Sequence, residues 1–249
     1  MLRFFALLFT IISFNTAASV ERTAIVGAMD VEIEGLLPKL TDVEEKTIGK
    51  HLFHIGQLNN KSVVVTKSGV GKVNAALTTT LLATEFNVNS IIFTGIAGAS
   101  APELEPMDVV ISTGLVQHDV DLTVFGSPMG LLDGYDSREF LPSEALVKQA
   151  LTAAQTALGK EQVTTGIIAS GDQFIADKEK VAYLYKEFQA KAVEMEGAAL
   201  AQVADQFDIP YVVIRTISDK ADGSAALTYE EMKKSTADNS VAIILEMLK

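Results

Sequence analysis

Short apolar runs rich in β-branched residues recur along the chain, each bounded by glycine, proline or polar residues. Runs of this kind are typical of strands that are buried on both faces of a sheet. Two of them are separated by only four residues, which include Asn59 and Asn60, and this spacing predicts a hairpin. The predicted strands span residues 23–26, 51–56, 61–66, 90–94, 108–112, 165–169 and 211–216.

Apolar residues at the three- and four-residue spacing of an amphipathic helix lie between these runs. The first predicted helix carries Ile33, Leu36 and Leu37 and ends before Pro38. The alternation predicts an α/β fold, a single domain of three α/β/α layers around a central mixed, mostly parallel, twisted sheet. The other predicted helices span residues 73–86, 143–158, 178–188, 197–207 and 229–248.

Residues 1–18 have the layout of a signal peptide. Arg3 is followed by an apolar run at residues 4–12 and by small residues at 16–19. Because the run is too short to span a bilayer as a stable helix, we expect cleavage after Ala18 and a mature domain at residues 19–249. The protein would then be secreted or periplasmic. The alternatives are an uncleaved anchor and a buried first helix.

Charge and motif spacing argue against several classes of function. The formal net charge of −12 repels phosphate backbones and anionic headgroups, so nucleic acid and membrane surfaces are poor partners. The chain has no cysteine, which excludes a disulfide framework and a cysteine nucleophile. SGVGK at residues 68–72 lacks two residues of a Walker A loop. HDVD at residues 118–121 is interpreted as a polar loop rather than a metal site.

Polar or glycine-rich segments follow several of the predicted strands. In parallel α/β sheets, ligands bind outside the carboxyl ends of the strands, so these segments are candidates for a common site. Two acids in these segments also have a simpler interpretation. Asp219 could cap a turn, and Glu32 could be an acid in the first turn of a helix. The segments are residues 27–32, 94–98 and 170–174, together with Ser218 and Asp219.

Buried-looking charges are a second signal. Glu194 and Glu196 lie in an apolar stretch that passes from strand to helix, and alternation points them to the same side. Arg215 lies inside an apolar strand. Burying a charge is costly unless it meets a partner or a ligand, so salt bridging at the helix start and ligand binding both remain open.

Together these pieces resemble the 5'-methylthioadenosine/S-adenosylhomocysteine nucleosidases of the nucleoside phosphorylase superfamily. The resemblance covers essentially the whole chain after the leader, and the motifs occur in the order that the family has. It implies a nucleoside phosphorylase-like fold and hydrolysis of the N-glycosidic bond of an adenine nucleoside. The motifs are IVGAM at 25–29 with Glu32, KSGVGKV at 67–73, TGIAG at 94–98, SGDQFI at 170–175, VEME at 193–196 and RTISD at 215–219.

The resemblance implies three acidic roles. Asp219 would protonate adenine N7, with Ser218 orienting it, since adenine leaves poorly unless its developing charge is neutralised. Glu32 would position and activate the attacking water, with Arg215 close by. Glu196 would bind the ribose hydroxyls. Two carboxylates and a proton donor are sufficient for this chemistry, so neither a cofactor nor a metal is expected.

The remaining residues that the resemblance implies form the pocket. Phe174 would stack on adenine and the backbone of Ile175 would read the purine edge. The resemblance further implies a homodimer in which a hydrophobic segment of one subunit closes the site of the other. The residues expected to pack against the sugar are Met29 and Met195, those expected to line the base and 5' pocket are Val70 and Tyr229, and those expected to reach the partner are Leu122 and Phe125.

Two departures from the family pattern affect substrate preference. Ile96 stands where many relatives have serine, and Tyr229 where phenylalanine is frequent. Two other functions are considered. A nucleoside phosphorylase would share the fold but use phosphate, which Glu32 would repel. A non-catalytic nucleoside-binding protein would need neither a proton donor nor a water-activating base.

Overall fold

The predicted apolar runs form strands of one mixed sheet in the computed structural model, which describes residues 21–221 and 225–249, without the side chains of residues 225–231. The strands are β1 Arg22–Gly27, β2 Thr41–Ile48, β3 His51–Leu58, β4 Lys61–Lys67, β5 Val88–Ala99, β6 Val109–Gln117, β7 Glu139–Phe140, β8 Val163–Ser170, β9 Ala190–Glu194 and β10 Tyr211–Asp219. The helices are α1 Asp30–Ile33, α2 Lys72–Glu85, α3 Glu144–Leu158, α4 Lys178–Phe188, α5 Gly197–Gln206 and α6 Ala225–Met247.

The sheet closes on itself for part of its width. β5 pairs with both β9 and β10, and β10, β6, β8 and β9 are joined in that order, so five strands form a ring. The other strands extend from β5 in the order β1, β4, β3 and β2. Parallel pairing joins β4, β1, β5 and β10, and also β6, β8 and β9. The carboxyl ends of β1, β5 and β10 therefore meet at one edge.

Helices cover the two faces of this sheet. On β1 the buried side chains alternate, with Ala24 and Val26 in the core beneath α2 and α5, and Ile25 in the core beneath α1, α3 and α6. A smaller cluster packs α4 against β8 and β9. The predicted α/β architecture, with a mixed sheet flanked by helices, is confirmed.

Three differences from the predicted elements have physical causes. β2 was not predicted because most of its residues are polar and exposed; among the described strands it pairs with β3 alone. β7 and β9 are short, and their antiparallel pairings make the sheet less parallel than predicted. The first helix is a single turn, because the chain enters a 3-10 turn at Leu37–Lys39 that contains Pro38.

Within the described ranges, no helix has the length and apolarity needed to cross a membrane. The predicted leader at residues 1–18 lies outside those ranges, as does the side chain of Tyr229.

Candidate active site

A cavity of about 190 Å³ opens at the carboxyl ends of β1, β5 and β10, beside the segment that joins β9 to α5. Its wall combines apolar side chains with carboxylates. Most of the predicted site residues line it, namely Met29, Glu32, Val70, Phe174, Ile175, Met195, Glu196, Ser218 and Asp219.

Glu32 is held by backbone N–H groups from two directions. Its Oε2 accepts hydrogen bonds from the N–H of Ala28 at 2.6 Å and of Met29 at 2.9 Å. Its Oε1 accepts one from the N–H of Ile96 at 2.9 Å. Burial raises the pKa of Glu32, while Arg215 and these N–H groups oppose the rise. The result is a carboxyl of fixed direction whose pKa is moved toward neutrality, as suits a general base.

Asp219 ends β10 and is held on both oxygens. Oδ2 accepts the Ser218 hydroxyl at 2.7 Å, and Oδ1 accepts the N–H of Ala221 at 2.7 Å. Asp219 therefore does cap the turn after β10, as the simpler interpretation requires. It also lines the cavity although only 2% of it is exposed, so the two interpretations are compatible.

Arg215 lies beneath the cavity rather than in its wall, and only 1% of it is exposed. Its Nη2 donates to Glu194 Oε2 at 2.5 Å and lies 3.9 Å from Glu196 Oε2. Its guanidinium carbon lies 4.2 Å from the ring centroid of Phe93. Burial disfavours the charge, but Glu194, Glu196 and Glu32 outweigh burial and raise the pKa of Arg215. The guanidinium thus remains charged and stabilises the carboxylates above it.

Glu194 and Glu196 have different surroundings. The Ser170 hydroxyl, the Gly197 N–H and Arg215 all donate to Glu194, so the salt-bridge interpretation is correct for this residue. Glu196 instead accepts the N–H of Gly71 at 2.8 Å and is 5% exposed in the cavity. Burial and the neighbouring Glu194 raise the pKa of Glu196 to about 8, against the effect of Arg215. Glu196 is the carboxyl of the pair that is available to a ligand.

Two glycines of TGIAG leave room for the acids. A Cβ atom at Gly95 would lie 2.6 Å from Glu32 Oε1 and 2.7 Å from Arg215 Nη1. A Cβ atom at Gly98 would lie 3.1 Å from Asp219 Oδ1 and 2.8 Å from the Ala221 side chain. Larger residues would displace the carboxyls, which explains why the segment at the end of β5 is glycine-rich.

The apolar wall is partly open. Phe174 is 54% exposed and Val70 is 47% exposed, although both line the cavity. Met29 and Met195 are half-buried, and Ile175 is 9% exposed. Exposed apolar side chains around a polar floor suit a flat, partly apolar ligand.

Sequence comparison places this site in a family. The profile of the phosphorylase superfamily matches residues 22–249, and this range contains every residue of the site. This chain belongs to the phosphorylase superfamily.

Within the superfamily, similar proteins are nucleosidases. The chain is 42% identical over 226 residues to a Marinomonas 5'-methylthioadenosine/S-adenosylhomocysteine nucleosidase, with 90% of this chain and 97% of the relative covered. It is 38% identical over 235 residues to a Helicobacter pylori aminodeoxyfutalosine nucleosidase, with 92% and 98% covered. The Neisseria meningitidis 5'-methylthioadenosine/S-adenosylhomocysteine nucleosidase in complex with methylthio-immucillin-A superposes with a TM-score of 0.88 at 39% identity, with 92% and 99% covered. The resemblance inferred from the six motifs is confirmed.

Three predicted residues lie outside the wall of the cavity in this chain, and the side chain of a fourth lies outside the described part of the structure. Arg215 is beneath the cavity. Leu122 and Phe125 lie at the 3-10 turn Thr123–Phe125, where Phe125 is 82% exposed, so neither lines the site of its own chain. Tyr229 has no described side chain. Their predicted roles stay predictions.

Other cavity residues were given no individual role in binding or catalysis by the sequence analysis. All lie inside the quoted motifs, and five of them lie in the segments at 27–32, 94–98 and 170–174 that were expected to form a common site. These cavity residues are Ala28, Ile96, Ala97, Gly98, Gln173, Val193 and Glu194. Among the residues that the structure describes, no group of three or more histidine, aspartate or glutamate side chains is arranged to hold a metal ion.

Proposed function

We propose that this chain hydrolyses the N-glycosidic bond of 5'-methylthioadenosine or S-adenosylhomocysteine, releasing adenine and the 5'-thio-substituted ribose. The observation that carries the proposal is the placement of Glu32, Glu196 and Asp219 around one cavity. Hydrolysis of an adenine nucleoside is also the activity for which similar proteins are named.

The leaving group requires an acid. As the bond between ribose C1' and adenine N9 breaks, its electron pair moves to the base, and a proton delivered to N7 neutralises that charge. We assign this proton to Asp219. The hydrogen bond from Ser218 at 2.7 Å and that from the Ala221 N–H support the assignment, because they fix the direction of the carboxyl.

The sugar requires a nucleophile and negative charge nearby. Water attacks C1' as the cationic sugar develops, and Glu32 takes the proton that the water loses. Glu196 binds the ribose hydroxyls, with Met29 and Met195 against the sugar and Phe174 stacked on the base. Arg215 acts from beneath by pairing with Glu194, which fixes the segment that carries Glu196.

A phosphorylase is the closest alternative, and the charge of the site argues against it. Phosphate would need cationic groups, yet none of the described residues that line the cavity is lysine, arginine or histidine. Arg215 is buried under carboxylates. A purely binding protein is also disfavoured, since binding alone does not need an acid and a base placed on either side of a substrate.

A homodimer is part of the proposal. The segment with Leu122 and Phe125 would close the site of the partner subunit. Val124 and Phe125 are 83% and 82% exposed, and Val73 at the start of α2 is 78% exposed. Contiguous exposed apolar surface marks protein interfaces, and Val124 and Phe125 are adjacent in the chain. Sedimentation equilibrium tests the assembly, and a monomer at micromolar concentration would contradict it.

Export is also proposed, on the basis of residues 1–18 alone. An exported enzyme would act in nucleoside salvage outside the cytoplasm, rather than on the intracellular products that the family usually meets. Sequencing the N-terminus of the protein from its native host tests this, and Met1 on the exported protein would contradict cleavage.

The substrate is tested with a panel of nucleosides. We expect adenine release from 5'-methylthioadenosine or S-adenosylhomocysteine, measured by chromatography of the free base. Aminodeoxyfutalosine belongs in the panel, because a relative of similar identity is named for it. Release from aminodeoxyfutalosine alone would transfer the activity to that substrate, and no release from any of the three would refute the proposed function.

A further inference from the structure

Two motifs to which the proposed mechanism assigns no chemical step contact each other in the structure. They are SGVGK at residues 68–72 and HDVD at residues 118–121. The Lys72 ammonium donates to Asp119 Oδ1 at 2.6 Å and to Gln117 Oε1 at 3.2 Å. Both charged side chains are largely buried, with 19% of the Lys72 side chain and 18% of the Asp119 side chain exposed. A shielded, hydrogen-bonded pair of this kind is stronger and more directional than a surface ion pair.

This pair fixes the segment that contacts Glu196. Lys72 directly follows Gly71, whose N–H donates to Glu196 Oε1, and Val70 in the same segment lines the cavity. Gly71 has a φ of 98°, so the backbone at this point adopts a conformation that few other residues tolerate. The direction of the Gly71 N–H therefore depends on what holds the residues next to it.

The same pair reaches the adenine side of the cavity. Asp119 Oδ2 accepts the N–H of Asp172 at 3.0 Å, and Asp172 Oδ1 accepts the N–H of Lys72 at 2.8 Å. Asp172 thereby caps the first turn of α2 from another part of the chain. Two residues later Phe174 enters the cavity wall. The cycle Lys72, Asp119 and Asp172 thus joins both loops of the pocket.

Electrostatics agrees with the geometry. Burial alone would raise the pKa of Asp119, but the hydrogen bonds from Lys72 and the Asp172 N–H outweigh burial and lower it. Asp119 is therefore ionised at neutral pH. Next to it, the buried ring of His118 packs so closely on Gly171 that a Cβ atom there would overlap it, which further fixes the start of the adenine loop.

We propose that Lys72 and Asp119 are positioning residues of the nucleosidase reaction, whose ion pair aligns the Gly71 N–H with Glu196. This inference rests on the proposed function, since it needs Glu196 to bind the ribose hydroxyls. Neither residue lines the cavity. Their removal should disturb mainly the contact of Glu196 with those hydroxyls.

The test compares variants on two substrates. Lys72→Met and Asp119→Asn break the pair, and Lys72→Arg keeps its charge. Lys46→Met is the matched control, because Lys46 pairs with Glu85 at 3.1 Å on an exposed surface. The substrates are 5'-methylthioadenosine and its 2',3'-dideoxy analogue, which lacks the hydroxyls. Thermal unfolding of each variant reports whether it is folded at the assay temperature.

We expect Lys72→Met and Asp119→Asn to lower kcat/KM for methylthioadenosine by about tenfold or more, because small misplacements of substrate-positioning groups are costly. The kcat/KM of these variants for the dideoxy analogue should be close to the wild-type value. Lys72→Arg should retain most of the wild-type kcat/KM for methylthioadenosine, and Lys46→Met should match wild type on both substrates.

Equal losses on both substrates, or wild-type kcat/KM in the folded variants, would overturn the positioning role. So would failure of both variants to fold, since the pair would then serve the fold rather than the site. Wild-type protein that releases no adenine would instead refute the proposed function, which separates the two conclusions.

Discussion

Replacing Asp219 by asparagine removes the proposed proton donor while changing the surrounding contacts little. In the structure Asp219 Oδ1 accepts the Ala221 N–H, and the asparagine carbonyl can accept the same bond. The asparagine amide would replace Oδ2, which accepts from the Ser218 hydroxyl. That hydroxyl can turn to the Ala97 carbonyl oxygen, 3.4 Å away, and accept from the new amide.

These contacts set the expected magnitudes. Because both hydrogen-bond positions can be refilled, we expect the free energy of unfolding to change by less than about 1 kcal/mol. Loss of a positioned general acid typically costs about 10²–10⁴-fold in rate. At about 1.4 kcal/mol per factor of ten, this corresponds to about 3–6 kcal/mol of transition-state stabilisation. The variant should therefore be folded, able to bind the nucleoside and almost inactive.

The assay measures kcat from adenine release and the Kd of methylthioadenosine by calorimetry. Asp108→Asn is the control, since Asp108 accepts the N–H of Glu105 at 2.9 Å and does not line the cavity. It should behave as wild type. A kcat of Asp219→Asn within about threefold of wild type would refute the assignment, because that is far smaller than the loss expected for a general acid.

Three further predictions follow from the buried charges and exposed apolar groups. Since burial raises the pKa of Glu196 to about 8, the folded protein holds a proton that the unfolded chain has lost, so its stability falls as pH rises from about 4.5 to 8. The melting temperature of Glu196→Gln relative to wild type should then increase with pH; a constant difference would contradict this. Gly95→Ala should destabilise by about 1–3 kcal/mol and lower kcat/KM, because its Cβ would lie 2.6 Å from the Glu32 carboxylate. An unchanged melting temperature and activity would contradict that steric argument. Phe125→Asp should yield monomers with reduced activity by sedimentation and adenine release, and a fully active monomer would argue against a shared site.

Much of the fold could be predicted because the central strands are continuous apolar runs. β1, β5 and β10 are buried on both sides over most of their length, and their apolar sequences show it directly. β2 has the opposite character, since its polar and exposed residues carry no burial signal. Ring closure depends on β10 pairing with both β5 and β6, a tertiary arrangement that local pattern does not encode.

The candidate site, like the fold, could be predicted from the sequence only in part. The positions of Glu32 and Asp219 follow from strand ends and family motifs, because one edge of the sheet collects them. Glu194 and Glu196 both line the cavity, and alternation could not show that Arg215 pairs with Glu194 at 2.5 Å but lies 3.9 Å from Glu196. The pair of Lys72 and Asp119 lies beyond local reasoning, since the two residues are 47 positions apart.

The central claim is that water, rather than phosphate, accepts the sugar at a site built from carboxylates. It is tested most directly by incubating the purified protein with methylthioadenosine in phosphate-free buffer and in buffer with added phosphate, and identifying both products by mass spectrometry. We predict equimolar adenine and methylthioribose at a rate that phosphate does not change. Methylthioribose 1-phosphate, or adenine release only when phosphate is present, would contradict the account.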